Sequence, residues 1–112
     1  MSTATDQNWI PMVKGIRRRT LASGAQMMQM VVALEAGSQL PEHQHPHEQF
    51  THVIKGRLRL TIAGTPHELA VGESICIPGG VPHIADALEE TLVIDTFSPP
   101  RQDLLAQDEA NK

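Results

Sequence analysis

An all-β sandwich or barrel is predicted for this 112-residue chain. Two observations predict it. Short apolar runs alternate with polar residues at the period of two that a half-buried strand requires, and glycine or proline interrupts the chain between runs. Seven or eight short strands with turns every several residues bury a common core as a barrel or as two stacked sheets.

Ile16–Leu21 begins the series. Gln26–Leu34 carries Met27, Met28, Met30, Val31, Val32 and Leu34 and suits a strand covered on both faces, although period alone leaves a helix open. Phe50–Ile54 comes next. Leu58, Leu60 and Ile62 then alternate with Arg57, Arg59 and Thr61, which gives one apolar and one polar face. Glu68–Val71, Ser74–Ile77 and Thr91–Phe97 follow. Gly37, Gly56, Gly64, Gly72, Gly79 and Gly80 mark turns, and Pro41, Pro66, Pro78 and Pro82 fall at strand ends, where no ladder hydrogen bond is lost. Beyond Ser98 the prolines Pro99 and Pro100 impose an extended segment. A short helical turn is expected after them, with Leu104 and Leu105 docking, and Asp108–Lys112 is expected to fray. One domain thus covers residues 1–112, with a core at about 15–98 and a tail at 99–112.

Composition narrows the function. The net charge is −4 with histidine neutral, aromatic residues are few and no long basic block occurs, which argues against a nucleic-acid partner. Arg17, Arg18 and Arg19 form the one basic cluster and read as decoration of a strand rather than an anion site. The longest apolar runs, such as Thr91–Ile94, are too short to span a membrane, and the polar stretch Met1–Asn8 does not read as a signal peptide. Cys76 is the single cysteine, so no internal disulfide can form and a reducing, cytoplasmic setting is expected. The residue itself reads as part of a buried strand.

Six histidines are the compositional anomaly, and His43, His45 and His47 fall within five residues. On a strand, positions 43 and 45 would send both imidazoles to one side. Pro46 suggests a bend before Gln49, and the rigid turn Pro78-Gly79-Gly80-Val81-Pro82 can aim His83 at the same point. Three neutral imidazoles and an amide oxygen suit a borderline divalent ion and leave positions open for water or substrate. Ordinary loop histidines are the competing reading.

The run from Gly37 through Pro41, His43, His45 and Gln49 to Gly56 resembles the first cupin motif, and Gly72 through Pro78, Gly80 and His83 resembles the second. The resemblance implies the cupin double-stranded β-helix, an all-β jelly-roll barrel. It implies one divalent transition-metal ion per chain on His43, His45, Gln49 and His83, with zinc, nickel, manganese and iron all fitting. Two positions depart from the pattern. Gln49 stands where the family's glutamate ligand is usual, and Ala87 where asparagine is frequent. The first removes a negative charge, so the ion should be held less tightly and be more Lewis acidic. Glu48 lies one residue too far from Gly56 to replace it. His47 either contacts substrate or caps a turn, while His52 and His67 read as surface or dimer-face residues.

Asp95 interrupts the apolar strand Thr91–Phe97. A carboxylate there is costly unless paired or put to use. It is either a general acid–base facing the metal cavity with a raised pKa, or the partner of Arg101 or of one of the three N-terminal arginines. The run His43–Gln49 and the ending Asp95-Thr96-Phe97-Ser98-Pro99-Pro100-Arg101 are similar to the pectin-degradation cupins of the KdgF type. That resemblance implies an isomerase-type enzyme that opens 4,5-unsaturated monouronates from pectin or alginate to linear 5-keto-4-deoxyuronate. It places Asp95, Phe97 and Arg101 in the active site and implies a homodimer with exchanged N-terminal strands. The double-faced apolar run from Met27 to Leu34 is consistent with a partner-covered face. A metal-dependent dioxygenase and a non-catalytic sugar or metal binder are the alternatives, because the barrel is shared by many functions.

Overall fold

The computed structural model describes residues 9–112; the stretch 1–8, with the signal-peptide expectation attached to it, lies outside them. Among the described residues ten strands precede one helix: β1 (Ile10–Val13), β2 (Ile16–Ser23), β3 (Met28–Leu34), β4 (Gln39–His43), β5 (Glu48–Lys55), β6 (Leu58–Ile62), β7 (Thr65–Leu69), β8 (Ser74–Ile77), β9 (His83–Ala87), β10 (Thr91–Ser98) and α1 (Gln102–Ala110). The strands form a six-stranded sheet in the order β1-β2-β3-β10-β5-β8 and a four-stranded sheet in the order β4-β9-β6-β7. Every pairing is antiparallel. No helix among the described residues is long and apolar enough to cross a membrane.

The alternation read from the sequence becomes the sandwich core. Met28, Met30, Val32 and Leu34 of β3, Val53 of β5 and Val93 and Phe97 of β10 meet Leu58 and Leu60 of β6 and Ala85 and Ala87 of β9. Ala87, at the position where asparagine is frequent, is therefore part of this apolar core. Burying side chains of this size contributes roughly 1.5–3 kcal/mol each before entropy is counted. Gly56 closes the β5–β6 turn at φ +87°, and a Cβ there would strike the Glu90 carbonyl oxygen and the Thr91 side chain. No residue but glycine fits.

β3 is apolar on both faces only in part. Val31 on its outer face is buried, but Gln29 is exposed and Met27, just before the strand, is 54% exposed. Cys76 departs from expectation. Ile77 takes the core position on β8 and Cys76 faces outward, exposed, because successive side chains alternate. The short strands β1, β4 and β9 were not anticipated, since proline, glutamate and histidine occupy positions where a propensity reading looks for β-branched residues.

The tail is ordered further than expected. Instead of fraying at Asp108, α1 continues to Ala110 and is pinned by Arg18. Arg18 faces inward from β2 and is fully buried. Its guanidinium donates to Asp108 Oδ1 (3.0 Å), the Leu104 carbonyl (3.1 Å) and Gln107 Oε1 (3.0 Å), and Thr20 donates to the other Asp108 oxygen. Arg18 is thus no surface decoration. Arg17 and Arg19 instead lie over the Trp9 ring, 4.6 and 5.4 Å from its centroid.

Candidate active site

Both sheets contribute to one cavity of about 110 Å³ inside the sandwich. His43 ends β4 and His83 begins β9, directly opposite one another across that pair, with ring centroids 4.2 Å apart. His45 lies beyond β4 in the loop to β5, so it joins the other two by a chain bend and not by strand alternation. One ligand-capable nitrogen from each of the three lies within 4.8 Å of the others. Gly79 makes the loop geometry possible: a Cβ there would collide with the Pro46 carbonyl oxygen. The Gly80 amide donates to the His45 carbonyl (2.7 Å), tying the two motif loops together.

The tautomers are set by backbone. Nδ1 of His43, His45 and His83 faces the carbonyls of Pro41 (2.8 Å), His47 (3.1 Å) and Val81 (2.9 Å). With the proton on each Nδ1, three Nε2 lone pairs are left for an ion, the arrangement in which a ligating imidazole is oriented by an acceptor behind it. Nε2 of His83 is buried and has no hydrogen-bond partner among the described residues. Gln49 Oε1 lies 2.9 Å from His45 Nε2. Two ligands at right angles on an ion bound at about 2.1 Å would be about 3.0 Å apart, so the pair fits a shared cation. Burial, Arg101 and the other two imidazoles hold His45 down at about 4, against the Gln49 contact, and burial also lowers His83. Both imidazoles therefore stay neutral, as a metal ligand must. These residues could hold one divalent ion.

Asp95 lies on the cavity wall, buried on β10 between Met30 of β3 and Thr51 of β5. Thr51 Oγ1 donates to Asp95 Oδ1 at 2.8 Å. Neither ion pair considered for Asp95 forms: Arg101 bonds Asp103 through Nε (3.1 Å) and Nη2 (2.9 Å), and Arg18 bonds Asp108. Burial pushes Asp95 up to about 6, opposed by hydrogen bonds from Thr51 and Gln49 and by Arg101. Phe97, one inward step along β10, packs its ring edge against His45 with centroids 5.6 Å apart. The Arg101 guanidinium lies 5.0 Å from the Phe97 centroid and lines the same cavity, with Leu104 of α1 beside it.

Six of the seven residues singled out from the sequence line this cavity, and His45 stands behind it, in contact with His83, Gln49 and Phe97. His47 is half-buried and does not line the cavity. Its carbonyl faces His45 Nδ1, and its own pKa is lowered by burial and then by Arg101. His52 is exposed and bonded to Ser74, and His67 is half-buried on β7. Two contributors escaped the sequence reading. Thr51 links Gln49 to Asp95, and the signal for it was a polar residue two positions from Gln49 on an alternating strand. Arg18 fixes the helix that carries Leu104, and nothing local distinguishes it from its neighbouring arginines.

A model of the cupin domain family matches residues 30–95. The pectin degradation protein KdgF of Dickeya dadantii is 30% identical over 99 residues, spanning 87% of this chain and 90% of its own. The structure of KdgF from a Halomonas species matches with a TM-score of 0.85 at 32% identity, covering 91% of this chain and 94% of that one. An RmlC-like cupin from Shewanella frigidimarina matches at 0.84 and 27% identity, covering 92% and 93%. The chain belongs to the cupin family and, within it, to the KdgF proteins.

Proposed function

We propose that the protein is a cytoplasmic, metal-dependent isomerase that opens the ring of 4,5-unsaturated monouronates derived from pectin or alginate, giving linear 5-keto-4-deoxyuronate. The observation that carries this reading is Asp95: a carboxyl buried on the wall of the three-histidine cavity, free of any ion pair among the described residues and titrating near 6. The KdgF relatives, one of them named a pectin degradation protein, support a place in pectin degradation.

The reaction needs few parts. The C1–O5 bond of the hemiacetal breaks, C1 becomes an aldehyde as its hydroxyl proton leaves, and the enol at C5 becomes a ketone when C4 gains a proton. Atoms balance without oxygen or a redox partner. A divalent ion on His43, His45, Gln49 and His83 would supply Lewis acidity toward the substrate's oxygens. Asp95 takes the hydroxyl proton and delivers one to carbon, because a carboxyl titrating near 6 exchanges protons readily in both directions at neutral pH. Arg101 offers the donors not spent on Asp103 to the substrate carboxylate. Phe97 shapes the pocket beside His45.

The test follows the ultraviolet absorbance of the ring double bond against the spontaneous rate, with proton NMR of the product. Asp95→Asn is expected to lose about 100- to 10,000-fold in kcat with metal retained. Arg101→Ala chiefly raises KM. A wild-type rate equal to the spontaneous one with both pectin- and alginate-derived monomers refutes the assignment.

The protein is further read as a homodimer. On the outer face of the six-stranded sheet, Phe50 is 52% and Ile54 41% exposed on β5, and β10 brings Ile94 alongside. An apolar sheet face of this kind is normally covered by a partner.

A further inference from the structure

A directional hydrogen-bond chain runs from the histidine cluster to Asp95. Gln49 Nε2 lies 3.0 Å from Thr51 Oγ1, and Thr51 Oγ1 lies 2.8 Å from Asp95 Oδ1. The amide nitrogen can only donate, so the Thr51 oxygen accepts there and its single proton goes to Asp95. The same bond decides which end of the Gln49 amide faces the imidazoles. With Nε2 held by Thr51, Oε1 is the atom presented to His45. Thr51 is 2% exposed, and no other hydrogen bond among the described residues competes for its hydroxyl.

We infer that Thr51 is a positioning residue with two simultaneous tasks: it locks the Gln49 amide with its oxygen toward the metal cluster, and it fixes Asp95 as a hydrogen-bond acceptor facing the cavity. A glutamate at position 49 would need no such lock, since its two oxygens are equivalent. It would instead draw the Thr51 proton to itself and leave Asp95 without its donor. The glutamine in this chain and the threonine two residues on form a matched pair, each useful through the other. Removing Thr51 leaves the amide held only through its contact with Asp95, and its nitrogen, which cannot ligate, can then turn toward the ion.

The catalytic half of this inference rests on the uronate reading; the metal half does not. Thr51→Val keeps shape and removes the hydroxyl, and Thr51→Ser restores it. Zinc affinity, measured by competition with a chromophoric chelator, is expected to fall about 10- to 100-fold in Thr51→Val and to stay within about threefold in Thr51→Ser. With uronate as substrate, Thr51→Val lowers kcat more than it raises KM, and Thr51→Ser recovers most of the loss. In a Gln49→Glu background, adding Thr51→Val changes zinc affinity by less than about threefold, because a carboxylate needs no orientation. Should Thr51→Val fail to fold, comparing Thr51→Ala with Thr51→Ser supplies the same contrast. Wild-type zinc affinity in Thr51→Val, no recovery in Thr51→Ser, or a wild type that binds no zinc overturns the inference. Absent turnover in every protein overturns the uronate reading alone, and the zinc measurements still decide the role of Thr51.

Discussion

Replacing Asp95 with asparagine should make the protein more stable at alkaline pH while making it a worse enzyme. The magnitude follows from the burial of the carboxyl. Its pKa rises from 3.8 to about 6 on folding. Below 3.8 both folded and unfolded chains carry the protonated acid, and burial of the charge costs nothing. Between 3.8 and about 6 the unfolded chain releases its proton first, so stability falls as pH rises. Above about 6 the ionised folded state stays less stable by about 3 kcal/mol. Asparagine keeps an oxygen for the Thr51 proton and carries no charge, so it escapes this penalty. Urea unfolding of both proteins at pH 4 and pH 8, with metal chelated so that no cation draws the carboxyl down, isolates the effect. The stability difference should change by about 2–3 kcal/mol between the two pH values, in favour of Asp95→Asn at pH 8. That is a midpoint shift of about 1–2 M urea at a slope of about 1.5 kcal/mol/M. A difference independent of pH would show that Asp95 titrates normally, and the acid–base role argued from its burial would fall with it.

Metal content should approach one ion per chain and drop sharply in a His43→Ala/His45→Ala variant; equal content by elemental analysis sinks the assignment. Because burial holds His45 at about 4 and lowers His83, protons compete for the ligands only in acid, and release should centre below about pH 6. Arg18→Met removes the guanidinium bonds to Asp108 Oδ1 and the Leu104 carbonyl and should destabilise by about 3 kcal/mol, read from the urea midpoint, while zinc affinity is retained. Light scattering after gel filtration at micromolar concentration should give twice the chain mass, and a monomer there refutes the dimer.

The sequence was most legible where chemistry and period coincide. Thr91–Phe97 shows its two faces by alternation, so Asp95 stood out as a charge on the apolar side and did turn inward. His43 stood out by the density of histidines around it and His83 by the rigid turn before it, and the two meet across a strand pair. His45 was read correctly as a companion of His43 but for a strand-based reason that fails, since it lies in a loop. Cys76 was misplaced because a four-residue strand offers too few alternations to fix its phase against Ile75 and Ile77. Arg18 and Asp108, 90 positions apart, were illegible for a different reason. Each looks like an ordinary surface charge until tertiary packing brings them together and excludes water.

The cavity wall formed by Arg101 and Leu104 comes from a stretch of chain distinct from the histidine cluster. The imidazoles and Gln49 belong to β4, β5, β9 and the loop between the first two; the facing guanidinium and leucine belong to the segment after β10, held in place by a side chain of β2. Insertions and exchanges in residues 99–110 can therefore redraw the shape and charge of the chamber without touching the atoms that would grip an ion. A barrel wired in this way is open to new ligands through a short terminal cassette, provided the incoming segment still offers acceptors to the buried Arg18.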